Sequence, residues 1–207
     1  MKKKNLFVAA LKHLRTVCIH KYWVFVYCSK LGLYWRGIKH DLSKFSPTEF
    51  GESVKYYTGT CSPIAECKRK NGVSYAWLHH KGRNTHHHEY WIDYLDNGGI
   101  PVKMPKMDAF EMVCDYFAAG RAYSGKNFTF EGEWKWWLNK LKVENPKMHP
   151  EIKYFVTMVM RYCMKENQFI NLKTLNQLWG IVETEHYGDE EFEKYLEYIN
   201  YIDKKVK

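Results

Sequence analysis

Apolar residues recur at helical spacing through most of this chain of 207 residues, and the two-residue alternation of half-buried strands is nearly absent. Residues 5–31 show the pattern, because apolar residues recur along an amphipathic first helix: Leu6, Ala10, Leu14, Val17, Val24, Tyr27, Cys28 and Leu31. Comparable segments follow along the chain and predict about eight to ten helices. The sequence therefore predicts an all-α fold, a single-domain helical bundle over residues 1–207 with additional C-terminal helices.

Local signals refine the helix boundaries. The string Ser46-Pro47-Thr48-Glu49 combines a serine cap, a proline at the first helical position and a glutamate in the capping-box position, which predicts a helix start. Before it we expect a helical turn from Ile38 to Lys44. After it we expect a largely helical segment over residues 74–96, interrupted around residues 81–84.

The chain carries 32 Lys and Arg against 23 Asp and Glu, a formal net charge of +9 that favours anionic partners. Nucleotides, nucleic acid and acidic surfaces all meet that description. The basic residues are scattered rather than gathered on one face, so nucleic acid is the less favoured partner. Aromatic residues make up 17% of the chain, enough to fill a core and also to line a cleft.

The N-terminal region resembles a signal peptide only superficially. Lysines at residues 2–4 precede an apolar run from Leu6 to Leu11, which stops at Lys12 and is too short for a signal-peptide core or a membrane span. The six cysteines include no C-x-x-C pair, which favours buried, reduced thiols. We therefore expect a soluble cytoplasmic protein without membrane association, and the oligomeric state stays open.

The most informative short string is His40-Asp41-Leu42-Ser43-Lys44. A neutral imidazole and an adjacent carboxylate can ligate one divalent metal ion or bridge two, if the local backbone turns both side chains inward. Lys44 follows Asp41 by about one helical turn, so its ammonium can reach a phosphate held by that metal. Taken alone, the pair fits a structural histidine beside a capping aspartate better than a metal site.

Three further features favour the metal site. His20 lies on the predicted first helix, residues 77–89 hold five histidines, and Asp115 lies inside an apolar helical run. A buried aspartate needs a partner, and a metal ion is an adequate one. The alternatives are a core histidine at position 20, a solvated loop that binds metal adventitiously at residues 77–89, and an aspartate at position 115 paired with a basic side chain.

The order His20, His40-Asp41, later histidines and Asp115 resembles the ligand order of the HD superfamily of metal-dependent phosphohydrolases, including its His-Asp-x-x-Lys signature. The resemblance covers about residues 13–124, which would form the metal-site core, with a helical extension over about residues 130–207. The string around the His-Asp pair is also similar to a small HD-like family of uncharacterised bacterial and phage proteins, which brings no assigned activity.

The resemblance implies a set of metal ligands that come from separate parts of the chain. The basic site would be formed by His20, His40, Asp41 and Asp115. Members with two ions add histidines between the His-Asp pair and the last aspartate, here Asp115, and that aspartate bridges the ions. His80 and His87 are our choices for the added ligands, with His79 and His86 as close rivals. The spacing leaves His13 as an alternative first ligand. The implied cofactor is a divalent transition metal ion, either Mn, Fe, Zn, Co or Ni, with one or two ions per chain.

The resemblance also implies catalytic roles. Asp41 or Asp115 would orient the attacking water or take its proton, while Lys44 would hold phosphoryl oxygens and offset their charge. The expected activity is hydrolysis of a phosphate ester, either a nucleotide or another small phosphorylated metabolite. Two alternatives are kept: a dinuclear iron oxygenase on the same fold, and a non-catalytic protein that binds a nucleotide or nucleic acid.

Residues of the histidine-rich segment would complete the site. Arg83 and Asn84 are expected to contact the anionic substrate, together with His79 and His86 where these do not ligate. Glu89 would hold the tautomer of a ligating histidine from the outside. On a regular helix, adjacent imidazoles point about 100° apart, so at most two of the three histidines at residues 86–88 would point at one ion.

Overall fold

The computed structural model describes residues 5–94 and 98–205, and within them it is almost entirely helical. The all-α prediction is confirmed, because 74% of the structure is helix. The α-helices of the described part are α1 Leu6–Lys30, α2 Tyr34–Lys39, α3 Pro47–Tyr56, α4 Pro63–Asn71, α5 Tyr75–Lys81, α6 Lys106–Ser124, α7 Phe130–Asn139, α8 Pro150–Glu166, α9 Leu172–Thr184 and α10 Asp189–Lys205. Strands β1 (Ile92–Asp93) and β2 (Ile100–Pro101) form a small antiparallel ladder.

The chain divides into two compact units. The first comprises residues Met1–Tyr90 and Phe110–Phe128, and the second comprises Trp91–Ala109 and Thr129–Lys207. The single domain expected from the sequence, with its core and extension, stays a prediction. No helix in the described part of the chain has the length and apolar character needed to cross a membrane. The lysines at residues 2–4 lie outside the described residues.

The second unit is organised around α8. Helices α7, α9 and α10 all contact it, and its apolar face is buried along its whole length. Trp137 of α7 is fully buried and donates a hydrogen bond of 2.9 Å from its indole Nε1 to Oγ1 of Thr157. This bond satisfies the one polar group of a large apolar side chain, so the indole can fill the core without an unpaired donor.

Helix α1 begins after Asn5, whose side chain accepts hydrogen bonds from the amides of Phe7 and Val8. Leu6 and Leu14, expected on its apolar face, are exposed, whereas five other residues expected there are buried: Val17, Val24, Tyr27, Cys28 and Leu31. The residues that α1 buries are Ala9, His13, Val17, His20, Val24, Tyr27 and Cys28. The core-facing stripe of the first helix therefore carries two imidazoles among its apolar side chains.

Helix α2 crosses α1 at Gly37. A Cβ atom at this position would lie 2.9 Å from Cβ of Cys28 and 3.1 Å from Cα of Phe25, closer than packed carbon atoms approach. Only glycine therefore allows this approach, which places the end of α2 beside α1. In the same part of α1, Oη of Tyr27 accepts a hydrogen bond of 2.9 Å from Nε of Arg121 in α6. These contacts bring α2 and α6 to the same helix.

The chain leaves the helical conformation at the His-Asp pair, so the predicted helical turn from Ile38 to Lys44 is helical only at its two ends. Helix α2 ends at Lys39, and Asp41 has a left-handed backbone with φ of 54° before a short 3-10 turn over Leu42–Phe45. Aspartate tolerates this conformation better than most residues. Because of the break, the side chains of His40 and Asp41 are both buried, each with 2% exposure.

The predicted start of α3 is confirmed, with Pro47 in the first turn and Ser46 Oγ accepting a hydrogen bond from the amide of Glu49. The capping box is incomplete, however. The amide of Ser46 donates to the carbonyl of Ser43, and the carboxylate of Glu49 faces two histidines instead of the cap. A residue that fits a helix-start motif thus has a different role in the tertiary structure.

The segment expected to be largely helical over residues 74–96 is helical only in α5. Turns follow Lys81, then a short 3-10 turn over His88–Tyr90 and strand β1, while residues 95–96 lie outside the described part. Asn84 Nδ2 donates to the carbonyl of His80 at 2.7 Å, the place that a backbone amide would occupy in a continuing helix. The side chain thereby helps to end α5 and start the turn.

Candidate metal centre

Four ligand atoms from three parts of the first unit converge in one buried place, which we call the first site. His20 comes from α1, Asp115 from α6, and His40 and Asp41 from the backbone break after α2. Nε2 of His20 lies 3.0 Å from Oδ1 of Asp115 and 3.5 Å from Oδ2 of Asp41. Nε2 of His40 lies 3.3 Å and 3.2 Å from the same two oxygens.

The spacing of these atoms fits a divalent metal ion. Bonds of about 2.1 Å in a tetrahedral arrangement place neighbouring ligand atoms about 3.4 Å apart. Nε2 of His20, Nε2 of His40 and Oδ2 of Asp41 are buried and form no hydrogen bond of good geometry. Buried polar atoms are expensive without a partner, and these point toward one another. The first site is therefore able to hold a metal ion.

A second set of ligand atoms, the second site, lies beside the first. Oδ1 of Asp41 is 3.3 Å from Nε2 of His80 and 3.4 Å from Nε2 of His86. Nε2 of His87 lies 2.8 Å from Nε2 of His80, and all four residues have ligand atoms in mutual reach. Burial and the neighbouring His86 lower the pKa of His87 well below its usual value, so this imidazole is in the neutral form that binds metals.

Asp41 belongs to both sites. Its Oδ2 atom faces His20 and His40, whereas its Oδ1 atom faces His80 and His86. Both oxygens are buried without a hydrogen bond of good geometry. A carboxylate with its two oxygens directed at two ligand sets can bridge two ions. The bridging position therefore falls on Asp41 and not on Asp115, which the resemblance implied, because Asp115 belongs to the first site alone.

Glu111 joins the two sites, and with His40 and His86 it forms a further group of side chains whose ligand atoms lie close together. Its Oε1 atom accepts a hydrogen bond of 2.9 Å from Nδ1 of His40 and lies 3.4 Å from Nδ1 of His86. Its Oε2 atom accepts from Nη1 of Arg36 at 2.9 Å. A carboxylate on Nδ1 keeps the proton there and leaves Nε2 free to ligate. One buried carboxylate therefore orients a histidine of each site.

Glu49 performs the same task for the second site alone. Its Oε2 atom accepts a hydrogen bond of 2.8 Å from Nδ1 of His80, and its Oε1 atom accepts one of 2.6 Å from Nδ1 of His79. His79 thus faces a carboxylate of α3 and lies outside both ligand sets. In the described part of the chain, Glu49 and Glu111 are thus the glutamates that contact ligating imidazoles, and each accepts a hydrogen bond from an Nδ1 atom.

The electrostatics of the centre keep its acids ionised. Burial alone would raise the pKa values of Asp41 and Asp115, but the facing histidines lower both well below the usual range. Hydrogen bonds from His40 and His86 likewise outweigh burial and lower the pKa of Glu111 to about 2. Burial disfavours charge on His40, yet the surrounding carboxylates raise its pKa well above the usual value. The ionised carboxylates therefore strongly favour a positive charge in the metal centre.

Lys44 stands at the edge of the first site. Its Nζ atom lies 2.6 Å from Oδ2 of Asp41, and its side chain is 26% exposed. Burial would lower the pKa of Lys44, but the carboxylates of Asp41 and Asp115 raise it. The same ammonium lines a cavity of about 180 Å³ together with His20, Asp115 and Tyr123. The first site therefore opens onto a small cavity that contains one charged lysine.

The structure brings together the side chains predicted as metal ligands: His20, His40, Asp41, His80, His87 and Asp115. It adds His86, which the sequence predicts as a close rival among the extra ligands and otherwise as a substrate contact. His13 lines the cavity and packs against Phe50 and Tyr57, but it does not belong to either ligand set.

The other predicted residues lie around the centre. Asn84 donates to the carbonyl of His80 and to Oγ of Ser43 at 3.0 Å. Arg83 is exposed and borders a different cleft from the one at Lys44. Oε1 of Glu89 lies 3.3 Å from Nε2 of His88, which is outside both ligand sets, and the role of Glu89 behind a ligating histidine stays a prediction.

Sequence reasoning missed Glu49, Glu111 and Arg36. Glu111 precedes Asp115 by one helical turn, so the two acids share a face of α6, and that spacing was a usable signal. Glu49 was assigned to a capping box, which hid its second role. Arg36 carries no signal of its own, because its partner is 75 residues away in the sequence.

Comparison with known proteins gives a family but no activity. No curated protein and no protein of known structure matches this chain significantly. One family profile matches residues 9–162, a stretch that includes every ligand of both sites. On that match, the chain belongs to DUF5662, a family of unknown function.

Proposed function

We propose that this protein is a metal-dependent hydrolase of phosphate esters, with a small phosphorylated metabolite as its substrate. The observation that carries the proposal is the pair of ligand sets joined by Asp41, with a charged lysine beside them in a cavity. A divalent cation held by these residues would lower the pKa of a bound water molecule and polarise a phosphoryl oxygen.

The residues around the cavity suit the rest of the reaction. The ammonium of Lys44 is charged and partly exposed, so it can hold a phosphoryl oxygen and offset charge on the departing group. Asp115 lines the same cavity and is ionised, so its carboxylate can orient a water molecule or accept its proton. Glu111 and Glu49 accept hydrogen bonds from Nδ1 of His40 and His80. Each bond holds its imidazole in the tautomer whose unprotonated Nε2 faces the metal centre.

The size of the cavity favours a small substrate. Pockets for drug-sized ligands occupy about 300–1,000 Å³. The cavity at Lys44 measures about 180 Å³ and is walled by Thr16, Ile64 and Tyr123. A phosphoryl group with a few attached atoms suits this space better than a whole nucleotide.

A dinuclear iron oxygenase is the second candidate. Three of the four residues of the second site are histidines, and imidazole suits iron as well as zinc. Anaerobic purification, iron analysis and EPR spectroscopy distinguish the two. A mixed-valent iron signal together with consumption of dioxygen supports the oxygenase, whereas turnover without dioxygen supports the hydrolase.

The test of the proposed function is metal analysis followed by a substrate screen. The purified protein, with its bound metal retained, is assayed on short sugar phosphates and on nucleotides. We expect hydrolysis of the former, and its loss in the double variant His40→Asn with Asp41→Asn. His186→Asn is the control, because that side chain is 79% exposed and lies outside both sites. Full activity in the double variant contradicts the proposal.

A further inference from the structure

A second cavity of the first unit lies apart from the one at Lys44. It measures about 320 Å³, and its walls include Trp35, Arg36, Lys39 and Arg83. This volume falls within the range of about 300–1,000 Å³ that small-molecule sites occupy. We call this cavity the basic cleft.

The charges of the basic cleft favour an anion. Within residues 5–94 and 98–205, neither Lys39 nor Arg83 forms an ion pair with a carboxylate. Arg36 contacts Glu111, the single acid that borders the cleft, so cations outnumber acids there. The cavity at Lys44 has the opposite balance, because Glu49 and Asp115 line it with one lysine. An anionic molecule is therefore drawn to the basic cleft.

Trp35 gives the basic cleft a flat apolar wall. Its side chain is 74% exposed, although an indole is among the largest apolar groups in proteins. An exposed indole next to two basic side chains is a favourable arrangement for stacking on a planar ring whose substituent is negatively charged. Neither feature alone selects a ligand, but together they specify an aromatic ring joined to an anion.

The basic cleft borders the metal centre from behind. Its floor includes His40 and His86, whose Nδ1 atoms face Glu111. The Nε2 atoms of the same rings face Asp41. A molecule in the cleft therefore lies next to the Arg36–Glu111 pair, whose carboxylate covers the Nδ1 edges of these buried imidazoles, and not next to the atoms that would ligate metal.

We propose that the basic cleft binds an anionic small molecule that carries a planar aromatic ring, a chemistry represented by nucleoside phosphates. Trp35 stacks on the ring, and Lys39 and Arg83 contact the anionic group. This site is separate from the cavity at Lys44. Its ligand is a bound effector or partner molecule and not the ester that the proposed hydrolase cleaves.

Calorimetric titration of the full chain, as purified with its metal, tests this site. The probes are adenosine 5′-monophosphate, inorganic phosphate and adenosine. We expect Lys39→Ala and Arg83→Ala each to weaken binding of the monophosphate about tenfold, the effect of one lost charge-assisted contact. Trp35→Ala weakens the monophosphate about tenfold as well, but leaves the affinity for inorganic phosphate unchanged.

Matched controls separate this site from the metal centre. Arg15→Ala removes an exposed charge of α1 outside the cleft and leaves binding unchanged. Lys44→Ala also leaves binding of the monophosphate unchanged. If no probe binds, or if the cleft variants bind as tightly as the unaltered protein, the basic cleft is not such a site. If Lys44→Ala alone weakens binding, the nucleotide occupies the metal cavity, and the proposal fails while the hydrolase stands.

Discussion

The two sites of the metal centre are built from different donors on different kinds of backbone. The first site has two imidazoles and two carboxylates, and two of its ligands come from the long helices α1 and α6. The second site has three imidazoles and one carboxylate, and His86 and His87 come from turns after α5. Carboxylates suit harder ions and imidazoles suit iron and zinc. The comparison indicates a first site that is more rigid and a second site that is more selective for the softer metals.

The difference has a limit, because the two sites share residues. Asp41 directs one oxygen at each, and Glu111 orients a histidine of each. Loading of the two sites should therefore be coupled through these acids, whereas Glu49 acts on the second site alone. Variants at shared and unshared residues separate the sites from each other.

The largest effect is expected for Asp41→Asn. The amide loses the charge that both sites use, so the variant should lose both ions, with affinities more than about 100-fold weaker. Asparagine also adopts the left-handed backbone readily, so the fold is retained. Metal content measured after dialysis, with Asp189→Asn as an exposed control, checks this. Retention of one ion with normal affinity would show that Asp41 serves a single site.

His20→Asn and His87→Asn form the next pair. Each removes a ligand of one site only, so each should empty its own site and leave the other able to load. Substitution with Co²⁺ and absorption spectroscopy distinguish the sites, because their donor sets differ. Loss of both ions in His87→Asn would mean that the second site supports the first, and the sites would then be one cooperative unit.

A smaller effect is expected at the outer acids. Changes to residues that orient metal ligands typically weaken metal binding by about 10- to 100-fold. Glu111→Gln should weaken both ions by such a factor, while Glu49→Gln should weaken only the ion of the second site. Calorimetric titration with Zn²⁺ measures both. Equal profiles for the two variants would contradict the assignment of Glu111 to both sites.

The smallest effect on metal content is expected for Lys44→Ala, which removes no ligand. We expect both ions to stay bound, while turnover of a short sugar phosphate falls about tenfold or more through loss of a charge-assisted contact. Lys12→Ala, an exposed lysine of α1, is the matched control. A parallel loss of metal and turnover would assign Lys44 a structural role beside Asp41.

Much of the helical frame was predictable from local signals, but the backbone at the site was not. Periodicity and the cap at Ser46 predict α1 and α3. The left-handed conformation of Asp41 has no counterpart in a hydropathy pattern, so a helical turn was expected there. His86 and His87 lie in turns, where helical spacing does not predict which side chains converge. The sequence therefore left them as rivals, although both belong to the second site.

The outer acids illustrate a second limit. His80 and Glu49 are 31 residues apart, and His40 and Glu111 are 71 apart, so no local pattern links them. Ligands can be proposed from residue type and order, as His20 and Asp115 were. Residues that act by touching a ligand become visible only when helices pack together.

Gly37 lies between Arg36 and the His-Asp pair. Because it has no side chain, α2 can approach α1 closely, and this approach determines how deeply the His-Asp pair is buried. A Cβ atom at position 37 would lie 2.9 Å from Cβ of Cys28, so even a methyl group would push α2 away from α1 and displace His40. Gly37→Ala should therefore weaken metal binding, although the substitution replaces none of the ligands. A residue without a side chain thus determines where the ligand His40 lies.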